Sequence, residues 1–503
     1  MKYVLDPIYI EGPQNDAALR EAIAKRLGFH PSQFRYEILD REFRWSGASR
    51  GIAYTVSIET IQFVRDTSIR FLPEFTEPIV PRYGGKDRPV VVGAGLSGLV
   101  AAYVLALAGA QPILLERGKK YDERLGDISL FDTRNRLDEE SNGRFGFGGV
   151  LSITGFTVRQ DRHGIRGELH HLFRELGLEL NVDHDQFVSP KQATALFGKL
   201  VEEITKRGGE IHYGARVVGL KSFLGKIKEV RYCVQEEELS LATAHVLVCA
   251  GEENPRLLKQ MGVVLPEEPS MVSFYLEKPS VELNRAAYGL IQKDDRFPAL
   301  FHLGTGVTKN GLLYELAFFY EKARPCYLGK SPGEVVLGVQ MGEPSSQCGL
   351  ISITLQTGES LNSVSGLSRI GFKKHLPYLC PGEPLKNYMM RQEPLRLGTI
   401  KPGYAKGVYL GNLNALFGGR IGDGLYQILE ELVKTQDSLS DGRALLLGPG
   451  LTLGNGASTF AKTKGKTNVR GLYFAAPQRN WAYDGLSTGE AGWIAALSLI
   501  AGN

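Results

Sequence analysis

Three glycines spaced Gly93-Ala94-Gly95-Leu96-Ser97-Gly98, followed downstream by Glu116, are the residues whose types and spacing most directly imply chemistry. In such a unit the first glycine permits a tight turn and the second lets backbone approach a pyrophosphate. The third lets a helix pack closely on its strand. A helix opening at Leu96 and Ser97 adds unpaired N–H groups and a partial positive charge, both suited to phosphate. Glu116, at the end of the next strand, can accept hydrogen bonds from a ribose diol and would repel a phosphate there, which disfavours NADP. The motif alone leaves NAD and FAD equal.

That chemistry needs strand, turn, helix and strand in this order, and the flanking residues supply them. Pro89-Val-Val-Val92 favours a strand. A helix follows to about Gly109, Gln111-Pro112 breaks it, and Ile113 to Glu116 is extended again. The run from Pro89 to Leu115 carries no charge and is long enough to span a bilayer. Its glycine cluster, valine strand and proline break describe a βαβ unit instead, so no integral membrane segment is expected.

Residues 1–84 read as a small α/β domain. Asn15 or Asp16 caps a helix through about Leu27, and strands flank a turn at Gly47–Gly51. Residues 85–270 read as the first part of the nucleotide domain. There a glycine-rich loop leads through Gly155, and an amphipathic helix starts at the cap Ser189 with Pro190 at its first position. Strands follow in "EIHYGARVVGLKS", "KIKEVRYCV" and "ELSLATAHVLVCAG". Residues 271–465 are strand-rich, with a helix from near Gly424, and suit a substrate or cap domain. Residues 466–503 add a strand, "GLYFAAP", and a small-residue helix from about Thr488 to Ala501.

The net charge of +4, from 59 basic and 55 acidic residues, and the lack of a dense basic run argue against a nucleic-acid partner. Sixty glycines without a repeat suggest many tight turns. Five scattered cysteines without a CxxC give no support to a disulfide framework, a zinc ribbon or a dithiol redox pair, and "MKYVLDPIYIEG" lacks a signal-peptide core. The expected setting is cytoplasmic, or an organelle if a transit peptide has been removed.

Later segments choose the nucleotide through a resemblance. "HVLVCAGEEN" (245–254), with Ala250 and Gly251 in its turn, resembles the returning strand of two-dinucleotide-binding-domain flavoproteins of the glutathione-reductase class. "GLYFAAPQRNWAYDGLSTGEAGWIAAL" resembles their C-terminal strand and flavin-facing helix. More closely, the chain is similar to predicted FAD-dependent dehydrogenases with an extra N-terminal α/β domain. "WSGASRGIAYTVSIE", "LLERGKKYDER" and "SNGRFGFGGVLS" carry that similarity. It implies an α/β fold: a discontinuous Rossmann-type FAD-binding domain, a strand-rich substrate domain and a small N-terminal α/β domain. It also implies FAD as cofactor and hydride transfer between flavin and a small organic substrate. The second electron partner is left unidentified, with NAD(P)H among the candidates. Arg117 and Arg124 are expected at the pyrophosphate, and Asn142, Gly148, Gly149 and Val150 in a loop beside the isoalloxazine ring. Val217, Pro477, Asp484 and Gly485 complete the expected cofactor contacts, with Asp484 or Asn480 supplying the C-terminal polar group. Trp481 and Tyr483 are candidate substrate contacts.

Departures limit the carry-over. The family's "FGEGGAG" is here Phe145-Gly-Phe147-Gly-Gly149-Val-Leu, without the acid, and its "SDGKL" is Ser152-Ile-Thr-Gly-Phe156, without the lysine. Pro477 replaces the acid expected at the ribityl chain. No catalytic side chain is therefore assigned. An NAD-using enzyme of related fold and a non-catalytic flavin-fold binding or assembly protein stand as alternatives. Gly47-Ala-Ser49-Arg-Gly51 matches a nucleophile elbow in letters, but strands on both sides make it a hairpin turn. "RALLLGPGLTLGNG" (443–456) reads as a glycine turn, and His170-His171 and Asp183-His184-Asp185 lack partners at metal spacing.

Overall fold

The computed structural model describes residues 2–11, 15–46, 49–64, 70–71, 79–158, 164–178, 186–249, 254–265, 270–280, 282–283, 300–319, 323–329, 337–340, 348–357, 378–435, 439, 441–452, 462–475 and 485–502. A five-stranded parallel sheet frames the site, in the order Leu472–Phe474, Val246–Val248, Val90–Val92, Ile113–Leu115, Glu210–His212. Counted along the chain from Val90, this is the order 3-2-1-4-5 read from its far edge, the doubly wound Rossmann arrangement. The fold is thus α/β, and the chain returns to this sheet from residues far apart.

Strands buried on both faces must be apolar throughout, and Val90–Val92, Ile113–Leu115, Val246–Val248 and Leu472–Phe474 are. Val91, Leu114, Leu247 and Tyr473 point toward the helices Leu96–Leu107, Pro190–Lys206 and Gly485–Ala501. Val90, Val92, Ile113, Leu115, Val246 and Phe474 point the other way, onto an antiparallel sheet of Arg216–Phe223, Lys226–Val234 and Glu237–Ala242. Ser189 caps its helix in a reciprocal box with Gln192. The C-terminal helix crosses Leu96–Leu107 so closely that a Cβ at Gly492 would lie 2.0 Å from the Ser97 carbonyl oxygen.

A seven-stranded sheet forms the second layer, in the order Leu300–Val307, Leu313–Phe319, Cys348–Gln356, Met271–Pro279, Leu445–Thr452, Cys380–Pro384, Val408–Leu410. Along Met271–Pro279, Val272, Phe274 and Leu276 face a cluster with the helix Gly419–Thr435 and with Leu19, Ile23, Tyr54 and Val56 of the N-terminal unit. Tyr275 faces a second cluster that takes in Phe131 of the nucleotide-binding part. The N-terminal strands, ordered Arg35–Ser46, Ser49–Glu59, Lys2–Glu11, Arg70–Phe71, carry the helix Asp16–Leu27, capped by the Asn15 side chain. Ser49, Arg50 and Gly51 of the nucleophile-elbow letters lie within the second strand, paired with Ser46, Trp45 and Arg44.

Two local expectations change. The stretch after Glu116 contains a helix, Tyr121–Arg134, where a loop was expected, and Gly164–Glu175 is a further helix. Gly448 and Gly450 lie inside the strand Leu445–Thr452, opposite a register shift at Ser273–Tyr275, and make no turn. Among the described residues no helix is long and apolar enough to cross a membrane, and no three His, Cys, Asp or Glu could hold a metal ion.

Candidate functional site

Strand Val90–Val92 runs into Gly93, whose φ of +100° only glycine adopts readily, and whose N–H donates to Leu115 O at 2.8 Å. A Cβ at Gly98 would sit 1.8 Å from the Gly93 carbonyl oxygen, so this glycine sets how closely helix and strand pack. A Cβ at Gly95 would meet nothing within 4 Å, because that side opens onto a cavity. Gly95 is also the N-cap of Leu96–Leu107 and offers no side-chain cap, which leaves the first N–H groups of the helix for an incoming acceptor. The cavity holds about 550 Å³. It lies at the carboxyl ends of Val90–Val92 and Val246–Val248, between which the strand order reverses, where doubly wound sheets bind ligands.

Glu116 borders this cavity and is itself held by backbone. Its Oε2 accepts from Ala94 N at 2.7 Å, and its Oε1 from Gly118 N at 2.8 Å and Gly146 N at 3.0 Å. A carboxylate offers roughly four lone-pair positions. The three bonds leave one, on Oε2, for a ligand hydroxyl. Through Gly146 the same carboxylate ties the loop 141–150 to the glycine turn, and Gly148 N donates to Ala94 O at 3.0 Å. Gly146, Gly148 and Gly149 all have positive φ, which lets this loop lie flat along the turn.

The cavity brings together Gly93, Gly95, Leu96, Ser97, Glu116, Arg117, Gly148, Gly149, Val150 and Val217 from the expected set. Arg117 stacks 4.2 Å over the Phe145 ring and pairs with Glu140. Arg124 requires a correction: its side chain is fully buried beneath the loop and does not line the cavity. Its Nε donates to Asn142 O at 2.8 Å and its Nη1 to Phe147 O and Ser152 Oγ at 2.6 Å, so it braces the loop rather than reaching a phosphate. Asn142 is likewise internal, its Oδ1 accepting from Arg144 N and Phe145 N. Gly485 opens the C-terminal helix against Phe156, and the cavity wall is reached by Thr488, one turn later. Ala250, Gly251, Pro477, Asn480, Trp481, Tyr483 and Asp484 lie outside the described residues.

Phe147, at the position of the family's acid, packs edge-on with Tyr121 and Phe197 in the core below the loop. It does not line the cavity, so losing an acid there removes nothing from the wall. The lining also includes Arg144, Arg216, Arg256, Cys249 and Thr488, none of which the glycine pattern could have singled out. Four arginines line the crevice, and two of them, Arg117 and Arg216, share the Glu140 carboxylate. Burial pushes the Cys249 thiol up to about 12. No His, Lys or Tyr lines the described wall. Among the described residues the crevice is equipped for holding a phosphate-bearing ligand, with Glu116 the one carboxylate in its lining.

No family model matches the chain. It is 30% identical over 216 residues to a D-amino acid dehydrogenase of Xanthobacter autotrophicus, covering 41% of this chain and 47% of that one. It is 27% identical over 214 residues to an L-amino-acid oxidase of Pseudechis australis, covering 39% and 37%. The chain thus spans less than half the length of these curated relatives. Among solved structures, a flavoprotein/dehydrogenase from Cytophaga hutchinsonii aligns at 12% identity and TM-score 0.30, over 58% of this chain and 62% of that one. That likeness is too loose to carry over anything about function.

Proposed function

We propose that the chain binds FAD in this crevice and acts as an FAD-dependent oxidoreductase on a small organic substrate. Support comes chiefly from one cavity that joins the glycine turn, Glu116 and Thr488 of the C-terminal helix, although these lie at opposite ends of the sequence. This fits the layout the flavoprotein resemblance implies, with ribose at Glu116, pyrophosphate over Gly93–Ser97 and the ring toward Gly148–Val150. Bound FAD would supply the hydride-accepting ring. The protein's part is to bind and orient it. The free lone pair on Glu116 Oε2 takes a ribose hydroxyl, and the uncapped N–H groups of Leu96–Leu107 take phosphate oxygens. Arg144 and Arg256 line the same cavity, as do Arg117 and Arg216, which share the Glu140 carboxylate.

The names of the two curated relatives make D- and L-amino acids the first substrates to assay. The test is to purify the full chain, record its spectrum and identify any released nucleotide by chromatography. Recovery of FAD, and its bleaching by an amino acid without oxygen, support the proposal. Recovery of NAD, or failure to take up added FAD, contradicts it.

A further inference from the structure

At the far end of the antiparallel sheet, strands Arg216–Phe223 and Lys226–Val234 are joined by a two-residue turn, Leu224-Gly225, with φ of 50° and 72°. Such a turn suits Asn-Gly or Gly-Gly, and a leucine in the left-handed region is strained. Leu224 is nevertheless there, 84% exposed, beside Phe223 at 65%. Val264, 83% exposed, sits in the same neighbourhood, because Asn468 bonds Gly262 O and Arg470 N bonds Gly225 O. Neither turn geometry nor burial favours large apolar side chains at these places.

Cations surround them. Lys226 and Lys228 lie on the hairpin's second strand, and Arg470 pairs alongside through Ile227 N at 3.0 Å. All three of these basic residues are exposed. Among the described residues none of the three forms an ion pair, whereas Lys221 is held by Glu229 at 2.7 Å. Among the described residues Glu229 is held by Lys221, and Asp87 is engaged by Ala244 N and Thr243. Glu236, Glu237 and Glu238 sit at the sheet's opposite end, so charge is segregated along it.

We propose that this hairpin tip docks the protein on an anionic lipid bilayer. Phe223 and Leu224 enter the headgroup region while the lysines and Arg470 face acidic phospholipids. A nucleic acid would satisfy the cations and give the convex apolar tip nothing to pack against. The tip lies roughly 20 Å along its strand from Val217 at the cavity, so docking and nucleotide binding are separable.

The test is flotation of the full-length protein with phosphatidylcholine vesicles, with and without phosphatidylglycerol. Binding is expected only with phosphatidylglycerol, and is lost near ~0.5 M salt, where screening is short-ranged. Each basic residue near an anionic surface strengthens partition about fivefold, so K226Q/K228Q should weaken it about 25-fold. Leu224→Asn suits the turn, so it should preserve or raise thermal stability while weakening binding, which separates docking from folding. Phe223→Trp should show a blue-shifted emission on adding phosphatidylglycerol vesicles. Failure of the native protein to float at low salt would overturn the proposal. So would undiminished binding by Leu224→Asn, an unmoved Phe223→Trp emission, or tighter binding to nucleic acid than to the vesicles.

Discussion

Arg124→Met separates a loop brace from a phosphate contact. The buried guanidinium donates to Asn142 O, Phe147 O and Ser152 Oγ, and burial holds its pKa at about 10, so it is charged at neutral pH. Hydrogen bonds from a charged donor contribute about 1.5–3 kcal/mol each. Phe147 O keeps the Ser152 hydroxyl at 3.0 Å, so the loss falls mainly on Asn142 O. Removing a buried charge also recovers part of its desolvation cost. The net destabilisation should be about 3 kcal/mol, a fall in Tm of about 6–12 °C if the nucleotide-binding part melts as one unit. The assay is a thermal melt of nucleotide-free protein beside an FAD titration. If Arg124 were instead a pyrophosphate ligand, the nucleotide-free melt would not move and only FAD affinity would fall. An unchanged melt therefore refutes the bracing role.

Gly98→Ala forces a Cβ to within 1.8 Å of the Gly93 carbonyl, so strand and helix must separate. A loss of about 1–3 kcal/mol or more and of nucleotide binding is expected in a denaturant titration of the purified variant. Glu116→Gln turns one acceptor oxygen into an NH₂ facing backbone N–H groups, and FAD affinity should fall about tenfold or more by fluorescence titration. Glu277 is fully buried, its carboxyl pushed up to about 7 by burial and only partly offset by the Gly403 N–H. The folded state holds that proton more tightly than the unfolded chain. Its contribution is therefore complete below the unfolded value near 4.5 and is lost as pH rises to about 7, by roughly 3 kcal/mol in all. Melts from pH 4.5 to 8 should show native stability falling relative to Glu277→Gln, and parallel curves would contradict this.

The turn, the helix after it and Glu116 were legible because their roles are local: glycines where Cβ atoms would clash, and a carboxylate at a strand end. The discontinuous sheet was legible only through the similarity of "VLVCAG" and "GLYFAAP" to known returning strands, since pairing between Val246–Val248 and Leu472–Phe474 leaves no local signal. Arg124 was misplaced because sequence shows its charge and not its burial under Gly146, whose Cβ would lie 2.4 Å from the arginine Cδ. The helix Tyr121–Arg134 hid beside a glycine-rich loop, although Arg124, Leu125, Ile128 and Phe131 already carry helical spacing. Arg144, Arg216 and Arg256 converge on the cavity from separate segments, and only tertiary structure brings them together.

The central claim is that the crevice at Gly93–Gly98 and Glu116 holds FAD. The most direct test is the absorbance spectrum of the purified full-length protein after incubation with FAD and removal of excess. Bands near ~370 and ~450 nm, the usual flavin positions, are predicted at about one flavin per chain. Their absence, with the protein folded by circular dichroism, would contradict the account.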